Sequence, residues 1–200
     1  MKFLFTGFDP FGENSINPSS MAVEALPDRI GENEIVKLFL PTSYSRAPKM
    51  LLEAVEKHNP DVVICFGLAG GRKNISLEFC ALNIADASIP DNDGVTKRMT
   101  KVIPASLENA HFCSLFVDRA ANKLSSEGIP CQVSFNAGTY VCSTLYFHLL
   151  EACYRKPDMK GLFVHIPFLP EQAEQQKFFC PSLPLETDVK ALAALVEFFS

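Results

Sequence analysis

Ser134-Phe135-Asn136-Ala137-Gly138-Thr139-Tyr140-Val141-Cys142-Ser143 is the stretch from which the fold is read. Ahead of it, Ile129–Phe135 is short and partly β-branched and predicts a buried strand. Behind it, Tyr140–Tyr154 is long enough for a helix and carries apolar residues at helical spacing. Gly138 lies in the turn between them, where a residue without Cβ permits a sharp reversal. Cys142 therefore falls in or near the first turn of a helix that leaves a strand. Unpaired backbone N–H groups and the helix dipole favour an anion there. A thiolate is such an anion, and it is the nucleophilic form of cysteine. The competing reading is a small buried hydrophobe, the usual fate of a free cysteine. Taken alone, the stretch favours that second reading.

Strand and helix signals alternate on both sides of this unit. Phe3–Thr6 predicts a central strand, and Gly7-Phe8-Asp9-Pro10-Phe11-Gly12 a loop. Phe8 and Phe11 either tuck back into the core or wall an apolar pocket at the strand's C-terminal end, where open α/β sheets place ligands. Asn17-Pro18 has the form of an N-cap followed by proline at the first helical position, opening a helix to about Leu26. Glu34–Leu40 predicts a strand, Ser43–Lys57 a helix with Met50, Leu51, Ala54 and Val55 inward, and Asp61–Leu68 the clearest strand of all. Ile75–Ala87 is strand-like. Glu78 within it is a carboxylate among apolar neighbours, costly unless paired; it either faces water or is held for use. Asn109–Ser126 predicts a helix with His111 on the surface of its first turn. His148 lies off the helical face of Cys142 and reads as packing. Leu162–Ile166 predicts the last strand and Glu186–Phe199 an amphipathic helix. The alternation predicts one domain over residues 1–200, an α/β/α sandwich around a largely parallel, twisted sheet.

Composition narrows the function classes. At 48% hydrophobic and 20% charged, the 200 residues describe a globular chain that buries a sizeable core. A net charge of −5, with no run of Lys or Arg, argues against a nucleic-acid partner. The apolar runs are too short to span a bilayer, so no membrane partner is expected. Seven cysteines, an odd number, with no signal peptide, predict a reducing cytoplasm. They form no CxxC pair and no zinc-spaced cluster with histidine, so no metal site is expected. Pro90-Asp91-Asn92-Asp93-Gly94 is acidic but lacks the spacing of a calcium loop. Ala69-Gly70-Gly71-Arg72 is a flexible loop without the Gly-Lys-Ser/Thr of a phosphate cradle.

Cys142 at a helix start, His165 at a strand end and Glu78 in a strand stand out by chemistry. A parallel sheet can gather their C-terminal ends. A Cys–His pair oriented by a carboxylate is the nucleophile, base and orienter of acyl transfer. On chemistry alone this is one arrangement among several. The ordered motifs go further. Thr6-Gly7-Phe8-Asp9-Pro10-Phe11-Gly12, Asn17-Pro18, Gly67, Gly70-Gly71-Arg72 and Ile75-Ser76-Leu77-Glu78 are followed by Ala81-Leu82-Asn83, Asp86-Ala87 and Ile89-Pro90-Asp91-Asn92. Ala137-Gly138-Thr139-Tyr140-Val141-Cys142 and His165-Ile166-Pro167-Phe168-Leu169-Pro170-Glu171-Gln172 complete the series. Through these motifs the chain resembles, nearly end to end, the pyrrolidone-carboxylate peptidases, cysteine peptidases also known as the pyroglutamyl peptidase family.

The resemblance implies removal of an N-terminal pyroglutamyl residue from peptides, with Cys142 as nucleophile, His165 as base and Glu78 as orienting acid. It places Phe8, Phe11, Asn17, Thr42, Ile89, Tyr140 and Val141 at the substrate pocket. It implies no metal or organic cofactor, and a homo-oligomer, dimer or tetramer. Four positions depart from the family's usual pattern. Leu68 stands where a glutamine faces the lactam, Phe79 where a basic residue follows the catalytic Glu, and Ser88 where an arginine lies near the thiol. Asn136 is unusual before Ala-Gly. A lost cation raises a thiol's pKa and weakens oxyanion stabilisation. Two other readings stay open: a cysteine hydrolase with altered acyl or amide specificity, and a non-catalytic protein on the same fold.

Overall fold

Apolar, β-branched segments pair into one sheet of seven strands in the computed structural model, which describes residues Met1–Ser200. In chain order these are β1 (Lys2–Phe8), β2 (Arg29–Ile30), β3 (Asn33–Leu40), β4 (Val62–Leu68), β5 (Ile75–Glu78), β8 (Cys131–Ser134) and β9 (Lys160–Ile166). A separate ribbon holds β6 (Cys80–Leu82) and β7 (Ala110–Phe112). The helices are α1 (Pro18–Ala25), α2 (Arg46–His58), α3 (Val117–Ser126), α4 (Val141–Arg155), α5 (Pro170–Glu174) and α6 (Leu185–Phe199).

The sheet runs β2-β3-β1-β4-β9-β5-β8. β3, β1, β4 and β9 are parallel neighbours, and β5 pairs in parallel with β8. β2 runs against β3, and β5 runs against β9. β4 is buried along its whole length, as its unbroken apolar run requires of a strand covered on both faces. Successive side chains alternate between two cores. Phe3, Phe5, Ile64, Leu162 and Val164 pack on the side of α1, α3 and α6; Leu4, Val63, Cys65 and Phe163 pack on the side of α2 and α4.

The α/β/α sandwich is therefore as expected, with local corrections. The first strand continues through Gly7 and Phe8 rather than ending at Thr6. The strand-like run Ile75–Ala87 divides at Phe79, and Cys80–Leu82 leaves the main sheet to pair with Ala110–Phe112. The helix expected over Asn109–Ser126 begins only at Val117. Its first residues instead alternate in burial as a strand does, with His111 in and Phe112 out. His111 is thus not on the surface. Its Nε2 meets Glu151 Oε2 at 2.7 Å, and its ring lies 4.6 Å from those of both Phe147 and Tyr154.

α6 carries a buried charge site with no partner. Asp188 is fully buried and neither carboxyl oxygen has a hydrogen-bond partner. Burial pushes its pKa from 3.8 to about 8. A raised folded-state pKa means the folded state holds a proton the unfolded state has lost. Its contribution to stability is fully present below about 3.8 and is lost as pH rises towards about 8. Asp188→Asn is expected to raise Tm at mildly alkaline pH by roughly 3–6 °C. The gap from the parent should widen between about pH 5 and pH 8 and then level. Parallel melting curves across that range would show Asp188 to be paired after all.

Candidate active site

The turn between β8 and α4 is built locally. Gly138 has φ +80°, a left-handed conformation that a Cβ makes costly. Asn136 Oδ1 accepts from the Gly138 N–H at 2.8 Å, closing the turn ahead of it. Thr139 Oγ1 donates to the Asp86 carbonyl at 2.6 Å, and Tyr140 Oη to the Pro90 carbonyl at 2.8 Å. These bonds tie the turn to the long connection between β6 and β7. α4 then starts at Val141 with no side-chain cap on its first N–H groups, and Cys142 is its second residue.

Cys142 lies over β4 at Gly67. A Cβ at Gly67 would sit 2.9 Å from the Phe163 ring and 3.1 Å from Cys142 Sγ. Only glycine lets the thiol approach the strand this closely. Gly67 is paired in register with His165 on β9, which puts the imidazole beside the thiol's seat. Glu78 reaches His165 by a route that differs from the expected gathering of parallel strand ends. β5 is antiparallel to β9, and His165 is registered with Ser76. Glu78, two residues on, shares that face and is a diagonal cross-strand neighbour. Its Oε1 lies 2.7 Å from His165 Nδ1.

Glu78 is fully buried, so it does not face water. The same Oε1 also accepts from Arg72 Nη1 at 2.8 Å. Burial pushes the Glu78 carboxyl up, but the His165 contact, then a Ser134 hydrogen bond and the nearby Arg72 charge outweigh it, and the net pKa is lowered. Burial pulls the His165 imidazole down, more than Glu78 raises it. The Cys142 thiol is pushed up to about 12, by burial first and then by Glu78 and Cys65, while Arg72 acts to lower it. At neutral pH the resting site therefore holds a carboxylate, a neutral imidazole and a neutral thiol. An ionised carboxylate accepts the Nδ1 proton and leaves Nε2 bare to act as a base.

A cavity of about 100 Å³ opens at this point, lined by Phe8, Phe11, Asn17, Thr42, Leu68, Ala137, Tyr140, Cys142 and His165. That is small beside drug-sized ligand pockets of roughly 300–1,000 Å³, and fits one small ring or side chain. Phe8 is tucked back into the core and also forms the wall, so both readings of that loop hold for it. The Phe11 ring packs tilted against Tyr140, with centroids 6.0 Å apart. Asn17 caps α1, accepting from Ser19 N, and Thr42 N donates to Asp9 Oδ1 at 2.6 Å.

Two residues expected at the pocket are not brought to its wall. Val141, at the first turn of α4, buries its side chain completely in the core beside Leu145 and Tyr146. Ile89, on the long connection, leaves its side chain 48% exposed. Leu68, the last residue of β4, does line the cavity, whereas Ser88 is exposed. Phe79 packs against Phe112 and Phe135 at 5.5 and 5.7 Å. Ala137 is a lining residue that the sequence did not single out; its motif was visible, its orientation was not. No group of three or more His, Cys, Asp or Glu side chains is placed to hold a metal ion.

A thiol at a helix start, an imidazole beside it and a carboxylate behind the imidazole define a thiol hydrolase on an α/β/α scaffold. The comparisons narrow that class. The chain belongs to the pyroglutamyl peptidase family, whose model matches residues 1–200. It is 42% identical over 198 residues to a pyrrolidone-carboxylate peptidase of Thermosipho africanus, covering 98% of this chain and 96% of that one. The crystal structure of pyroglutamyl peptidase I from Bacillus amyloliquefaciens superposes with a TM-score of 0.92 at 40% identity, covering 96% of this chain and 91% of that one. Pyrrolidone carboxyl peptidase from Thermococcus litoralis gives 0.94 at 35%, covering 98% and 91%.

Proposed function

We propose that residues 1–200 form one peptidase domain that removes N-terminal pyroglutamyl residues from peptides, with Cys142 as nucleophile, His165 as general base and acid, and Glu78 as the orienting carboxylate. The observation that carries this reading is the cavity itself. Cys142 and His165 line one small apolar recess, and Glu78 holds the imidazole from behind. An uncharged ring suits walls made by Phe8, Phe11, Leu68 and Tyr140, which offer no counter-charge to a free N-terminal ammonium.

The substrate carbonyl is attacked by Cys142 Sγ as the thiol proton passes to His165 Nε2. The new C–S bond leaves a tetrahedral oxyanion near the uncapped N–H groups at the start of α4. His165 returns its proton to the departing amine as the C–N bond breaks, leaving a thioester. Water, deprotonated by His165, then releases pyroglutamate and the free thiol. Because thiol and imidazole are both neutral at rest, proton transfer accompanies attack rather than preceding it.

The test is hydrolysis of a chromogenic pyroglutamyl amide beside a panel of other acyl amides. A strong preference for the pyroglutamyl amide is expected. Preference for another acyl group would point to altered specificity, with Leu68 the first residue to examine, and inactivity on every amide would sink the catalytic reading.

The same reading places the chain in the cytoplasm as a homo-oligomer, dimer or tetramer. All seven cysteines are unpaired, which suits a reducing compartment. No helix is long and apolar enough to cross a membrane. Phe178 and Phe179 are almost wholly exposed at one loop tip, apolar surface that a subunit contact would cover.

A further inference from the structure

We propose that Arg72 is a positioning residue of the site, joining the orienting carboxylate to the turn that carries the nucleophile and so holding His165 in its proton-accepting form. The proposal rests on the assignment of Cys142, His165 and Glu78 given above.

Arg72 reaches two places with one guanidinium. Nη1 meets Glu78 Oε1 at 2.8 Å, and Nη2 donates to the Asn136 carbonyl at 3.1 Å. Glu78 ends β5, and Asn136 lies in the turn that leads to Cys142. The planar, charged fork thus joins the end of β5 to the turn ahead of α4. The charge has a separate consequence. Glu78 is fully buried and its Oε2 has no hydrogen-bond partner; its charged form is favoured by His165 and Arg72 on Oε1 and by the neutral Ser134 hydroxyl beside it. Of the two groups on that atom, His165 is neutral at rest, and Arg72 is the one cation. The other titratable groups around Glu78 are Cys142 and Tyr146 on α4 and Cys80 on β6, and none of them can carry positive charge. An uncompensated buried carboxylate protonates instead. A protonated Glu78 would donate to His165 Nδ1, moving the ring proton to Nε2, where it blocks acceptance of the thiol proton. The guanidinium thus adds the one full positive charge at rest to the groups that keep the acid ionised, and the ionised acid keeps Nε2 free.

Arg72→Met keeps most of the side chain's length and removes both bonds and the charge; Arg72→Lys restores the charge without the fork. For Arg72→Met, kcat on the pyroglutamyl amide is expected to fall about 100-fold, with KM within about threefold. The acid limb of kcat/KM should move to higher pH by at least about one unit. Arg72→Lys should return the limb towards the parent position while recovering only part of the rate. In ¹⁵N-histidine NMR at neutral pH, His165 should be protonated at Nδ1 in the parent and at Nε2 in Arg72→Met. Circular dichroism and thermal melting identify a variant that has not folded, in which case Arg72→Lys carries the comparison. A folded Arg72→Met enzyme with the parent's pH profile and tautomer would overturn the proposal, as would a loss of rate in both variants with limb and tautomer unmoved. If the parent itself ignores pyroglutamyl amides, the functional reading fails. The His165 tautomer and the pH dependence of Cys142 alkylation then still decide the role of Arg72.

Discussion

Cys142→Ser is expected to leave the fold intact and to lower turnover of a pyroglutamyl amide at least about 10⁴-fold. The thiol is pushed up to about 12 by its surroundings, and the cation acting against that is Arg72, which already serves Glu78. A site that holds back a thiolate this firmly holds back the far more basic alkoxide of serine still further. The fold should survive because serine is smaller and the space over Gly67 was opened for sulfur. In the parent, iodoacetamide should label Cys142 ahead of the other cysteines, because His165 can take its proton. Cys65, Cys80 and Cys113 are buried, and Cys131, Cys153 and Cys180 are partly exposed but do not line the cavity beside His165. Turnover retained in the serine variant, with first labelling at another cysteine, would remove Cys142 from the mechanism.

The second large effect belongs to the base and its orienter. His165→Ala should reduce kcat by about 10³–10⁴-fold and Glu78→Gln by about 10²–10³-fold. In the proposed mechanism His165 carries the proton in both half-reactions, whereas Glu78 acts through His165. The double variant should be little worse than His165→Ala, because groups that act as a unit lose activity non-additively. The pH profile supplies an independent check. Burial holds the imidazole below its ordinary 6.5, so the acid limb of kcat/KM should lie below that value in the parent. On the acid side of the limb His165 is protonated and cannot accept the thiol proton; as pH rises through it, activity appears. A Glu78→Gln enzyme with an unchanged rate and profile would show that the 2.7 Å contact with His165 has no catalytic consequence.

Much of this site was legible before any coordinates. The Asn17-Pro18 start of α1 and the Gly138 turn into α4 need only local chemistry: a capping side chain, a ring that presets φ, a residue without Cβ. Cys142 could be placed in a helical first turn on those grounds alone. The long motifs then carried the family and with it the roles proposed for Cys142, His165 and Glu78. The place of His111 was not legible in this way. Its neighbours fit a helix by composition, and the strand β7 exists because β6 is there to pair with it. The two strands are far apart in sequence, and no window of residues contains both.

By itself, the sequence determined the alternation of strands and helices, the strand–turn–helix that carries the thiol, and the choice of residues able to do acyl transfer. These depend on periodicity, caps and side-chain chemistry, which act over a few residues. Only the tertiary structure decided that β5 runs against β9, so that Glu78 meets His165 diagonally across two strands. It also decided that Arg72 shares Oε1 of Glu78 with that histidine, and that Leu68 and Ala137 close a recess of about 100 Å³ from which Val141 and Ile89 are absent. Strand direction and register are set by which segments the chain brings together to bury apolar faces. A carboxylate's partners follow from that register, and alternation along a strand is the same whichever way its neighbour runs.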